Sequence, residues 1–165
     1  MQTWLWRRML LAAIALPALG GAVRADDYGC SNATLKGEYA FGVTSYTPNY
    51  PPNVVAGIKV FDGKGNLTQR DYGGDSVPAD FAPQGQERGT YTVNFDCTGS
   101  MVINLNVPGV PAGTSSGVIN ILFVISDGGR HVHEVVSQFT PPASSGPEPT
   151  QTSADDWKVA SEHDN

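Results

Sequence analysis

The strongest constraint on this chain is alternation with a period of two. In "TLKGEYAFGVTSY", Leu35, Gly37, Tyr39, Phe41 and Val43 fall on one face, and Lys36, Glu38, Ala40, Gly42 and Thr44 on the other. Successive side chains of a strand point to opposite sides of a sheet, so this stretch reads as a half-buried β-strand. The same pattern recurs along the chain. "VVAGIKVF" runs into "DGKGN" and out through "LTQRDY", and Asp62-Gly63 and Gly65-Asn66 supply the positive φ of a tight hairpin. Tyr91, Val93 and Phe95 alternate with Thr90, Thr92 and Asn94; "DCTG" then reverses the chain into Met101, Ile103 and Leu105. "VINILFVI" follows, turned by "SDGG" into "RHVHEVVSQF".

Segments of this kind, joined mainly by hairpin signals and without amphipathic helical patterns, predict an all-β fold. The expectation is an antiparallel meander of about 7–8 strands closed into a small barrel, with a sandwich as the alternative. The 19 glycines and 12 prolines suit many short strands joined by turns. Residues 73–86 read as a long surface connection that could act as a lid.

The ends of the chain read differently. Arg7 and Arg8, the apolar run Met9–Leu19 and the small-residue site at Val23-Arg24-Ala25 predict a signal peptide over residues 1–25, with a mature start at Asp26. Arg7-Arg8 also loosely fits a twin-arginine signal; the general secretory route is the simpler reading. The run is too short to span a bilayer, and no cysteine lies at the cleavage site to carry a lipid. A periplasmic or extracellular protein with no membrane span in its mature chain is therefore expected. Residues 26–140 are assigned to the barrel. Residues 141–165, rich in Pro, Ser, Thr and acids, read as a disordered tail in which Trp157 and Val159 stay undocked.

Charge excludes one class of partner. The whole chain carries 10 basic and 16 acidic residues, and Arg7, Arg8 and Arg24 leave with the signal. Such a surface repels phosphate backbones, so nucleic acid is not expected to bind. The two cysteines, Cys30 and Cys97, lie in the exported part, where oxidising conditions favour a disulfide, and two cysteines allow one intramolecular pairing. Free thiols and an intermolecular bridge remain the alternatives.

The segments "CSNATLKGEYAFGV", "VFDGKGNLTQRDYG" and "GTYTVNFDCTGS" resemble a group of small secreted bacterial proteins whose fold looks like the calycin or allene oxide cyclase type of β-barrel. The similarity covers Cys30 to Phe139. It implies the Cys30–Cys97 pairing and a barrel. Gly37-Glu38-Tyr39 is similar to the first-strand Gly-x-Trp of lipocalins, without the tryptophan. Allene oxide cyclases hold a reactive substrate in an apolar barrel without a cofactor, and none of their catalytic residues can be placed on this sequence. A shared barrel does not carry a shared reaction.

The candidate site residues follow from position on the strands. Tyr39, Phe41 and Tyr91, with Phe95 and Phe123, could line an apolar interior. One of Arg70 and Asp71 must face inward, where a charge has to be paired or used on a ligand. Arg70, His133 and Glu134 are thus the polar candidates for ligand binding. His131 and His133, two apart, share a face and could ligate zinc, copper, nickel or iron. Cupin barrels place a glutamate a few residues after such a pair, but Ser137 and Gln138 stand there, Glu134 turns to the opposite face, and His163 lies in the tail. Surface histidines are the plainer reading. No nucleophile elbow, phosphate loop or zinc-protease helix occurs, and the sequons at Asn32 and Asn66 carry no meaning in a bacterial export context.

The expectation is therefore a non-catalytic exported barrel, needing no cofactor, that binds a small apolar ligand or serves as an interaction module for another exported protein. A cofactor-independent isomerase or cyclase is the first alternative. A metal-binding protein using His131 and His133 is the second.

Overall fold

The structure, a computed structural model, describes residues 29–48, 52–75, 82–105, 117–142, 144 and 146–159, without the side chains of 74–75 and 82–86. The signal-peptide segment lies outside the described residues, as does His163. Alternation resolves into eight strands: β1 (Lys36–Tyr46), β2 (Asn53–Asp62), β3 (Asn66–Asp75), β4 (Ala82–Val93), β5 (Thr98–Asn104), β6 (Val118–Ser126), β7 (His131–Thr140) and β8 (Gln151–Lys158). Each pairs with the next, and β8 pairs with β1, giving a closed antiparallel barrel in simple up-and-down order. The sandwich alternative is thereby excluded. Among the described residues, no helix is long and apolar enough to cross a membrane.

Two expectations are corrected by strand boundaries. β3 continues to Asp75 and β4 begins at Ala82, so much of the connection expected over 73–86 is sheet, and the remaining 76–81 lies outside the described residues. The tail expected over 141–165 contains β8, so the barrel extends to Lys158. β8 is held from both sides, in register from Tyr39↔Lys158 to Tyr46↔Gln151 and from His131↔Trp157 to Val135↔Ser153. Its backbone satisfies the hydrogen-bonding groups of two strands that would otherwise be open edges. That ladder, rather than apolar content, makes "QTSADDWK" a strand.

One barrel end is closed by short connections. In the Asp62–Asn66 turn, Gly63 and Gly65 take φ of 76° and 112°, and the Asp62 carboxylate accepts from the Lys64 and Asn66 backbone N–H groups. Hydrogen bonds led by that of the Asn66 side chain hold the exposed Asp62 carboxyl down to about 2. Above this end a 3-10 turn, Asn32–Leu35, plugs the barrel. It is fixed by the Cys30–Cys97 disulfide, by the Tyr91 hydroxyl donating to the Asn32 carbonyl at 3.0 Å, and by the Val93 N–H donating to Asn32 Oδ1 at 2.8 Å. The Tyr39 hydroxyl donates to the Gly129 carbonyl, and burial leads the causes that push its pKa up to about 12.

Beneath the plug lies the apolar core. Tyr39, Phe61 and Tyr91 pack edge to face, with centroids 5.2 and 5.0 Å apart, among Leu35, Met101, Ile103, Phe123 and Val132. Burying side chains of this kind contributes about 1.5–3 kcal/mol each. Phe95 is instead exposed, because β4 ends at Val93 and the inward alternation ends with it.

Candidate functional site

The same inward alternation that builds the core also draws charge into the barrel. Lys59 is two residues from Phe61 and so shares its face; it stands opposite Tyr39 on β1 and Gln69 on β3, and Gln69 in turn stands opposite Glu87 on β4. Among the described residues, six polar or charged residues of this layer are buried: Lys59, Gln69, Asp71, Glu87, Glu134 and Asp156. Isolated, each would be costly to bury.

They are paired in two groups. In the first, Lys59 Nζ donates to both oxygens of Glu134 at 2.6 Å and to those of Asp156 at 3.2 and 3.0 Å. The ammonium also lies 4.8 Å from the centroid of the Phe41 ring, a cation–π contact. Burial opposes the charge on Lys59, but the attraction of Glu134 and Asp156 prevails and its pKa is raised. Asp156 has 0% exposure, and burial, with the Glu134 charge adding to it and Lys59 opposing it, pushes its carboxyl up to about 8. At neutral pH Asp156 therefore retains its proton beside the Lys59 ammonium.

In the second group, Gln69 Nε2 donates to Asp71 Oδ2 and Glu87 Oε2, both at 2.9 Å. Burial raises the pKa of Asp71, against the Gln69 hydrogen bond and the Lys59 charge. The other end of the amide, Gln69 Oε1, is buried and accepts no hydrogen bond from the described residues. The register of β3 on β4 shifts between Arg70 and Tyr72, so β4 bulges opposite Asp71. Gly57 leaves room for both neighbours: a Cβ there would lie 2.7 Å from Asp71 Cβ and 2.8 Å from the Phe41 ring.

Beyond the charged layer, hydroxyls line β1 and the chain leading into and along β8. Ser45 bonds Thr152 at 2.7 Å, and Thr47 bonds Thr150 at 3.0 Å. The interior thus grades from apolar at the plugged end, through charge, to hydroxyl.

Of the residues singled out in the sequence, Tyr39, Phe41, Tyr91 and Glu134 face this interior. Tyr39 and Tyr91 are spent on core packing and on holding the plug and its neighbouring turn, whereas Phe41 and Glu134 meet at Lys59. Arg70 and His133 correct the expectation of inward polar groups, for both point outward, and Asp71 takes the inward place beside Arg70. Lys59, Gln69, Glu87 and Asp156 escaped sequence reasoning. The first two carried a usable signal, since each lies two residues from a core side chain on its own strand.

The histidines lie on the outer face of β7. His131 Nε2 is 3.1 Å and His133 Nδ1 2.8 Å from the same oxygen, Oδ1 of Asp155. The His131 ring stacks on Trp157 at 3.5 Å. Fold and site together define a closed eight-stranded barrel, stapled at one end and charged within. No protein-family model matches the chain, and no curated protein matches its sequence.

Proposed function

We propose that this chain is an exported binding module whose barrel takes a small organic cation, or a comparable hydrogen-bond donor, at the acidic pole formed by Gln69, Asp71 and Glu87. The observation that carries the reading is Gln69 Oε1, a buried acceptor to which none of the described residues donates, on an amide already committed to two carboxylates. Leaving such a group unpartnered costs about 1–3 kcal/mol, which a ligand N–H would recover. The aromatic end, by contrast, is filled by its own rings, which turns the expected apolar ligand into a polar one. The disulfide supports an oxidising compartment, and the closed barrel is in keeping with the calycin-like resemblance.

The test is calorimetric titration of the oxidised mature protein with a primary amine, a diamine and a quaternary ammonium ion. Saturable binding, weakened at least about tenfold in Asp71→Asn/Glu87→Gln with the fold retained, is expected. Absence of binding by all three ligands would defeat the reading.

A second reading rests on Asp156, whose retained proton beside Lys59 suits general acid chemistry near neutral pH. Its mark would be a ligand that the wild-type protein returns isomerised and that Asp156→Asn binds equally well but returns unchanged.

A further inference from the structure

The opposite surface of the β7–β8 wall carries different chemistry. The strand period sends His131 and His133 outward together, and the antiparallel register sets Asp155 directly across from His133. Two imidazole nitrogens thereby converge on one carboxylate oxygen, at 3.1 and 2.8 Å, and the three donor atoms all lie within 4.8 Å of one another. Nitrogen and oxygen ligands about 2.0–2.2 Å from zinc stand roughly 3.0–3.5 Å apart at octahedral or tetrahedral angles. Both nitrogen-to-oxygen distances are already near that spacing, and the three donors lie close enough to converge on one ion.

We propose that His131, His133 and Asp155 form a binding site for a divalent transition-metal ion of the zinc, copper or nickel class. Two imidazoles and one carboxylate are a borderline donor set, which favours these ions over calcium or magnesium. The surroundings order the ligands. Trp157 stacks on His131 with an interplanar angle of 18°, and the His131 side chain is only 12% exposed, so its ring is held in place. Ser126 Oγ lies 3.4 Å from Nε2 of His133, on the far side of the ring from Asp155, which orients the second imidazole. His133 and Asp155 are 53% and 58% exposed, leaving an approach for the ion and coordination positions for water. Because the ligands come from both strands, the ion would clamp the closing strand β8 to β7.

The site is independent of the barrel interior, and the experiment keeps the two apart. The untagged, oxidised mature protein is titrated with zinc by calorimetry and with cobalt by visible absorption, alongside His131→Ala/His133→Ala, Asp155→Asn and the interior variant Asp71→Asn/Glu87→Gln. Circular dichroism without metal checks each fold. One equivalent of zinc is expected to bind the wild-type and interior-variant proteins alike, to raise their Tm, and to bind the double histidine variant at least about a hundredfold more weakly. Asp155→Asn, an exposed and nearly isosteric change, is expected to weaken binding while leaving the fold intact. Equal zinc affinity in the double histidine variant overturns the proposal, and so does failure of the wild-type protein to take up zinc. Binding that survives the histidine changes but is lost in the interior variant would place the ion inside the barrel, and equally overturns it.

Discussion

Replacing Asp156 with asparagine isolates the proton held inside the barrel. In the folded chain, burial above all pushes this carboxyl up to about 8, whereas its ordinary value is 3.8. Between those values the folded state keeps a proton that the unfolded chain has released. The resulting stability is full below the ordinary carboxylate pKa and is lost as pH rises through the folded one. One proton of difference corresponds to a slope of about 1.4 kcal/mol per pH unit, so moving from about pH 5 to about pH 7 removes roughly 3 kcal/mol. Lys59 does not disturb this interval, because its raised pKa acts only above its ordinary 10.5. Asp71, also raised by burial, acts in the same direction but is common to both proteins. Asparagine keeps the size of the side chain and can still donate to Glu134, but has no proton to lose. Urea unfolding of oxidised wild type and Asp156→Asn, followed by circular dichroism at several pH values across this range, reads the difference directly. The wild-type advantage should shrink by roughly 3 kcal/mol from about pH 5 to about pH 7. Parallel pH profiles for the two proteins would refute a protonated Asp156.

The disulfide should contribute about 4 kcal/mol by chain entropy, given its sequence separation of 67. Cys97→Ser is therefore expected to melt well below the wild-type protein without reductant, and an unchanged Tm would refute the staple's role. A chain ending at residue 149 loses β8, opens β1 and β7 as edges and removes Asp156 from Lys59. It should aggregate or lose cooperative unfolding on size exclusion and thermal melting; a monomer that melts cooperatively would show that β8 is dispensable.

Much of the fold was legible because most strands carry apolar side chains at every second position. "YAFGV", "YTV" and "MVI" each place their inward residues by alternation alone. β8 was not legible, since its inward buried residues are Ala154 and Asp156, neither of which signals a core. Its place depends on β1 and β7 offering hydrogen-bonding edges on both sides, a long-range fact that no window of sequence contains. The charged interior was half legible. Glu134 follows from alternation, which also requires one of Arg70 and Asp71 to face inward without selecting Asp71, and Lys59 and Gln69 obey the same rule. They were passed over because a charge or amide between apolar neighbours ordinarily marks the solvent face. His131 and His133 were recognisable as a pair on one face, but their third partner, Asp155, becomes visible only when β8 is in place.

The register of β8 ties the two sites together. Since adjacent residues of a strand face opposite sides, Asp156 meets Lys59 inside while Asp155 meets the histidines outside. A slip of one residue would exchange the two aspartates, and charge alone could not oppose it strongly. Their neighbours can. The slip would turn the small, buried Ala154 out and drive Trp157 inward, away from its stack on His131 and into a layer already filled by Phe41 and Lys59. Ala154 and Trp157 therefore fix which aspartate faces which chemistry, and the tryptophan of a segment that reads as an unattached tail becomes the residue that sets the closing register of the barrel.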